Sequence, residues 1–150
     1  MHLPQTAEYA LRAMACIALK KDGRPVPSKV LARATGIPSH YLSKILRKMV
    51  EADLVTSQKG HGGGFRLAKD PSEIKFRSIL ATVDYKIEPN SCVFGWDECD
   101  SDDPCPLHNT WSQLKDSFQW WAENTTLQDV IDDPGKAESL LNPINATKAD

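Results

Sequence analysis

The stretch PSHYLSKILRKMVEADLVTSQKGHGGGFRL, residues 38–67, decides the fold. Leu42, Ile45, Leu46, Met49 and Val50 recur three and four apart, so they line one face of a helix that Pro38-Ser39 opens, with Ser39 as its cap. Leu54 to Gln58 then reads as a strand, Lys59 to Gly64 as a glycine-rich turn, and Phe65-Arg66-Leu67 as a returning strand. Upstream, Pro25-Val26-Pro27-Ser28 leads into a short helix with Ser28 as N-cap and Gly36 as terminator. Two short helices joined by Thr35-Gly36-Ile37-Pro38 have the proportions of a helix-turn-helix, and a hairpin directly after them makes a winged helix. The glycine-rich turn is not a phosphate loop of an enzyme. No helix begins after it, and no Lys-Ser/Thr pair closes it.

Outward from this core, apolar residues Tyr9, Ala10, Ala13, Met14, Ile17 and Ala18 predict a first helix over about Thr6 to Lys21, stopped by Gly23. Lys20 and Lys21 suit its negative end, and Cys16 reads as a small core residue. Ile74 to Val83 is a further amphipathic segment, and Asp84 to Pro104 is poor in helix signals. Pro106 then suits the first turn of a long helix reaching about Asn124. Its Leu107, Trp111, Leu114, Phe118 and Trp121 form an a/d seam, widened by Trp120, that predicts a homodimer through this helix. Thr126 and Asp129 cap a last short helix, and the tail from Pro134 has little to bury and is expected to be disordered. The fold class is therefore mainly α with a small β-hairpin wing. Residues 1–83 form a DNA-binding domain, 84–105 a cysteine-bearing loop, 106–133 a dimerisation helix with a cap helix, and 134–150 a tail.

The 150 residues are 41% hydrophobic and include 4 cysteines, and no apolar run is long enough to span a bilayer. With no basic leader or cleavage site, a cytoplasmic protein with reduced thiols is expected, and membrane, secreted and disordered classes are disfavoured. The net charge of −2 conceals a division. Residues 1–78 hold 14 of the 18 Lys and Arg with 6 of the 20 Asp and Glu, a balance of +8; the remainder stands at −10. Such a split suits a first half that meets a polyanion. The helix from Ser39 to Ala52 is expected in the major groove, with Ser39, His40, Tyr41, Ser43 and Lys44 at its leading end. Arg47 and Lys48 are expected at phosphates or in solvent. Lys59, Gly60, His61, Gly62, Gly63 and Gly64 form a wing able to reach an adjacent groove or the backbone.

Cys92, Cys99 and Cys105 form C-x6-C-x5-C, and His108 follows at C-x2-H. Three thiolates and an imidazole supply four ligands for zinc or an iron–sulfur cluster. Neither cysteine gap is as short as structural zinc sites usually have, while the nearby Asp97, Glu98, Asp100, Asp102 and Asp103 oppose an already anionic cluster. Spacing and charge leave cluster, zinc and metal-free thiol chemistry all open. A thiol redox enzyme or carrier is the distant alternative. No Cys-x-x-Cys pair or paired-base motif supports it, so no enzyme is expected.

The ordered set Leu3…Glu8-Tyr9-Ala10-Leu11-Arg12-Ala13-Met14, Gly36-Ile37-Pro38…Tyr41-Leu42, Gly60-His61-Gly62-Gly63-Gly64-Phe65, the cysteine triad and Thr126-Leu127-Gln128-Asp129-Val130 resembles the IscR/NsrR/RirA family of bacterial regulators over about residues 1–132. The resemblance implies a dimeric repressor of palindromic operators on double-stranded DNA, controlled by an iron–sulfur cluster (2Fe–2S or 4Fe–4S) that senses redox state, nitric oxide or iron. IscR-like members complete the site with a histidine two residues past the third cysteine, which His108 matches. NsrR-like members use an acidic residue of the other subunit's first helix, which Glu8 matches as glutamate rather than aspartate. The six-residue first gap departs from the IscR-like five.

Overall fold

The structure, a computed structural model, describes residues 3–20, 22–86, 88, 91–96 and 102–133. Cys99, Asp97, Glu98, Asp100, Lys21 and the expected tail lie outside the described residues. In chain order the elements are α1 (Gln5–Ala18), α2 (Ser28–Thr35), α3 (Ser39–Glu51), β1 (Val55–Gln58), β2 (Gly64–Leu67), a 3₁₀ turn (Pro71–Glu73), α4 (Phe76–Thr82), α5 (His108–Asn124) and α6 (Leu127–Ile131). The strands form an antiparallel hairpin in which Val55 faces Leu67 and Gln58 faces Gly64. Helix-turn-helix and wing stand as expected.

Both expected serine caps are corrected. Pro27 and Pro38 occupy the N-cap positions, with extended backbone at ψ 145° and 136°, and neither Ser28 nor Ser39 caps through its side chain. Each proline carbonyl accepts the first helical bond instead, from Leu31 and Leu42 at 3.0 Å, so each helix begins one residue earlier. Gly36, left-handed at φ 70°, ends α2 as expected. The first helix ends at Ala18, short of Lys20. The long helix starts at His108 rather than Pro106, because the His108 N–H bonds Cys105 O at 3.0 Å in a tight turn. The Ile74–Val83 segment is also broken. Asp70 caps the 3₁₀ turn by accepting from Ser72 N at 3.0 Å, Ile74 is extended, and α4 begins at Phe76.

The core joins the faces that periodicity marked. Ala10, Ala13, Met14 and Ile17 of α1 meet Leu31, Ile37, Leu42, Ile45, Leu46 and Met49, with Val55, Ile74 and Ile79 completing it. Leu127 is fully buried in this same core, so α6 returns the chain to the helix-turn-helix. Main-chain bonds from Phe76 N to Thr125 O at 2.9 Å and from Leu127 N to Ile74 O at 3.0 Å fix that return. The Thr126–Asp129 capping box is present: Thr126 N donates to the Asp129 carboxylate at 2.7 Å. Cys16 is half-buried against the core, and burial pushes its thiol up, which favours the protonated form.

Candidate nucleic-acid interface and cysteine loop

Helix α3 buries Leu42, Ile45, Leu46 and Met49 and leaves Ser39, His40, Tyr41, Ser43, Lys44, Arg47 and Lys48 exposed. Between α3, the start of α2 and the hairpin lies a cleft of about 520 Å³. Of the expected DNA-contacting residues, Ser43, Arg47, Lys59, Gly60, Gly63 and Gly64 line it. His61 and Gly62 stand exposed at the hairpin tip, outside the cleft. Arg47 pairs with Glu51 at 3.2 Å one turn on, and Lys48 pairs with Asp84 at 3.5 Å. These pairs are exposed and weak, so either cation can be recruited by a phosphate at little cost.

The wing needs its glycines for space as well as for conformation. Gly64 sits at φ 148°, where an added Cβ would lie 2.6 Å from Pro27 N. A side chain there would break the bonds of Val26 N to Phe65 O (2.7 Å) and Phe65 N to Val26 O (2.9 Å), which extend the hairpin by a third segment. At Gly63 an added Cβ would lie 2.8 Å from Gly60 O.

A brace from α1 to the helix-turn-helix carries no sequence periodicity. Arg12 Nη1 donates to Thr35 O at 3.1 Å, and its guanidinium lies 5.5 Å from the Tyr9 ring centroid. Tyr9 approaches Tyr41 at 6.4 Å, and Tyr41 lies 4.3 Å from His40. Thr35, fully buried, donates from Oγ1 to Leu31 O at 2.6 Å and accepts from Ile37 N at 3.4 Å. The leading end of α3 is thus braced by Tyr9, Arg12 and Thr35, to which the sequence assigned no part in the interface.

Cys92 and Cys105 are half-buried free thiols, and Cys92 Sγ accepts from Phe94 N at 3.4 Å. His108 is half-buried at the first position of α5, immediately after the turn that starts at Cys105. Glu8 lies in the first turn of α1, half-buried. Among the described residues no three His, Cys, Asp or Glu side chains converge on one point, and Cys99 is not among those residues. The loop before Cys92 is held by its backbone: Trp111 Nε1 and Lys115 Nζ both donate to Ser91 O, at 2.8 and 3.1 Å. Lys115 is buried at 6% exposure, a cation drawn under the loop by that carbonyl.

The expected seam of α5 divides by burial. Phe118 and Trp121 pack inward, Phe118 on Tyr85 at 5.8 Å and Trp121 on Phe76 at 5.4 Å, both edge-on. Trp111 is tied to Ser91. Leu107 and Leu114 remain 44% and 45% exposed. At about 100° per residue Leu107, Leu114 and Trp121 fall within one narrow stripe, and Leu114, Phe118 and Trp121 line an apolar groove with Leu3. Trp120 does not widen that seam. It lies roughly 140° around the helix from the seam's centre and is 69% exposed.

Residues 3–133 match the Rrf2 family, described as an iron-dependent transcriptional regulator. The chain belongs to the Rrf2 family. The HTH-type transcriptional regulator IscR of Escherichia coli strain K12 / DH10B is 31% identical over 154 aligned residues, covering 99% of this chain and 94% of that one. Among solved structures, CymR (YrzC), the global cysteine regulator of B. subtilis, superposes with TM-score 0.73 at 25% identity over 88% of this chain and 97% of that one. IscR of T. potens shares the fold with TM-score 0.70 at 24% identity, over 89% and 88%. The protein is a DNA-binding transcriptional regulator and not an enzyme. No helix among the described residues is long and apolar enough to cross a membrane.

Proposed function

We propose that this regulator acts as a homodimeric repressor of a palindromic operator and that its affinity for DNA follows the state of an iron–sulfur cluster held by Cys92, Cys99, Cys105 and one further ligand. The observation that carries the reading is the anchored loop: Ser91 O, held by Trp111 and Lys115, fixes the entry to Cys92 on the helix whose first residue, His108, follows Cys105. Two half-buried thiols and an imidazole are a soft donor set that fits such a group. When bound, the cluster would supply a redox- and ligand-sensitive charge centre. The 6% exposed Lys115 sets a positive group beside the backbone that leads into Cys92.

In this reading residues 1–83 bind DNA, 84–105 hold the cluster and 106–133 supply the dimer contact through Leu107 and Leu114. Ser39, His40, Tyr41, Ser43 and Lys44 reach base edges, Arg47 and Lys48 meet phosphates, and Lys59 to Gly64 reach the neighbouring groove. His108 is the preferred fourth ligand because it needs no partner subunit, with Glu8 of the other subunit as its rival. Absorbance, iron and sulfide measured on anaerobically purified protein test the cluster. Colour with iron and sulfide, lost in Cys99→Ala, is expected. A colourless wild type holding zinc or no metal would replace this reading with a zinc-stabilised or thiol-based regulator of the same fold.

A further inference from the structure

A second cleft, of about 410 Å³, shares no lining residue with the one between α3 and the wing. Its floor is apolar: buried Ile17 and Ala18 at the end of α1, and half-buried Leu67 of β2 and Ile131 of α6. Its rim carries Lys20, Arg24, Arg66 and Lys69, and no acidic residue among the described residues lines it. Lys20 pairs with Asp22 at 3.6 Å, and Asp22 also accepts the Arg24 backbone N–H at 3.1 Å. That backbone bond, followed by the Lys20 and Arg24 charges, holds the Asp22 carboxyl below its usual range, so it stays ionised and offsets one charge. Among the described residues Arg24, Arg66 and Lys69 form no ion pair.

Uncompensated cations around an apolar floor ask for two things at once, an anion and a hydrocarbon surface. A DNA backbone supplies the first only, and its phosphates run along a convex rail that cannot descend into a concave floor. The volume lies in the range of small-ligand pockets, about 300–1,000 Å³. We propose that this cleft binds a small organic anion with an apolar body, its acidic head at Arg66 and Lys69 and its hydrocarbon against Ile17 and Ile131. Arg66 and Leu67 belong to the returning strand of the wing, so the ligand rests on the base of a DNA-contacting element.

Titration calorimetry of the full chain with octanoate, acetate and octylammonium tests this. Octanoate is expected to bind saturably, one per chain, and acetate about tenfold more weakly or worse because it lacks the buried methylenes. Octylammonium should not bind. Arg66→Gln with Lys69→Gln should weaken octanoate by about tenfold or more, since the loss of even one charge-assisted bond is worth about that factor. Arg24→Gln should weaken it in the same direction, and exposed Lys29→Gln should change nothing, with circular dichroism confirming the fold of each. Equal binding of octylammonium, or octanoate affinity unchanged in the double variant, overturns the proposal. So does an absence of saturable octanoate binding accompanied by a shallower salt dependence of operator binding in that variant, which would make these cations phosphate contacts.

Discussion

The indole Nε1 of Trp111 donates to the carbonyl oxygen of Ser91 at 2.8 Å, across a sequence separation of 20 residues. This bond docks the segment before Cys92 on α5, and Lys115 reinforces it one turn later at 3.1 Å. Trp111→Phe keeps the aromatic bulk and removes the donor. A loss of about 1 kcal/mol in unfolding free energy is expected, together with faster amide exchange around Ser91 to Trp96. Unchanged exchange there would mean that the docking does not depend on this bond.

Association of two chains should depend on the positions that the chain's own fold leaves free. Leu107→Glu with Leu114→Glu places charge at positions 44% and 45% exposed, and a shift toward monomer without loss of helicity is expected in sedimentation velocity. Phe118→Ala should instead lower the melting temperature, because its ring packs on Tyr85 and Trp121 within one chain. A Leu107/Leu114 variant that stayed dimeric would move the interface elsewhere.

The contrast between Leu114, left exposed, and Phe118, packed within the chain, marks where the sequence was legible. A 3.6-residue period located α1, α3 and α5 because burial on one face imposes it. The Lys59–Gly64 turn was readable because a tight glycine-rich turn has little other use there. The cap residues were misplaced because Ser after Pro looks like a cap, yet the proline carbonyl already accepts the first helical bond. Periodicity grouped Leu114 with Phe118 although only Phe118 packs on Tyr85 and Trp121 while Leu114 stays exposed, since spacing carries no information on which neighbour covers a face. The Arg12–Thr35 bond spans 23 residues and joins a side chain to a carbonyl, a contact without sequence signature.

Operator binding should be steeply salt-dependent. Arg47→Ala and Lys48→Ala should each reduce the slope of log affinity against log salt by about 1, as one released phosphate counterion predicts. Gly64→Val should impair binding more than either, because the strand junction at Val26–Phe65 cannot close around a side chain. Fluorescence anisotropy across a salt series reads both effects. A flat salt response would remove the electrostatic account.

Acid should loosen the junction of α4 with α5. The bond from Arg77, then the charges of Arg77 and Lys75, hold the Glu123 carboxyl below its usual range. A folded pKa below the unfolded one stabilises above the unfolded value, and that contribution vanishes as pH falls through the carboxylate range to the folded one. Glu123→Gln should therefore melt below wild type at neutral pH and converge with it as pH falls through the carboxylate range. The difference should be small, since these groups face solvent. A gap that widened in acid would refute the assignment.

The fourth ligand can be separated in one experiment. Anaerobic absorbance of His108→Ala and Glu8→Ala should differ, with His108→Ala altered and Glu8→Ala near wild type. Two unchanged spectra would exclude both residues.

The main-chain bonds at Thr125 and Leu127 make the end of α5 a pivot rather than a free terminus. The helix has 17 residues, a rod of about 25 Å at 1.5 Å per residue. Its opposite end carries the Ser91 anchor. On such a rod a sideways step of about 2 Å at the anchored loop becomes only about 5° of rotation at the pivot. Beside α4 that rotation would arrive as a twist of one packed rod against another, so a shift at the cysteine loop would reach α4 already reduced in amplitude.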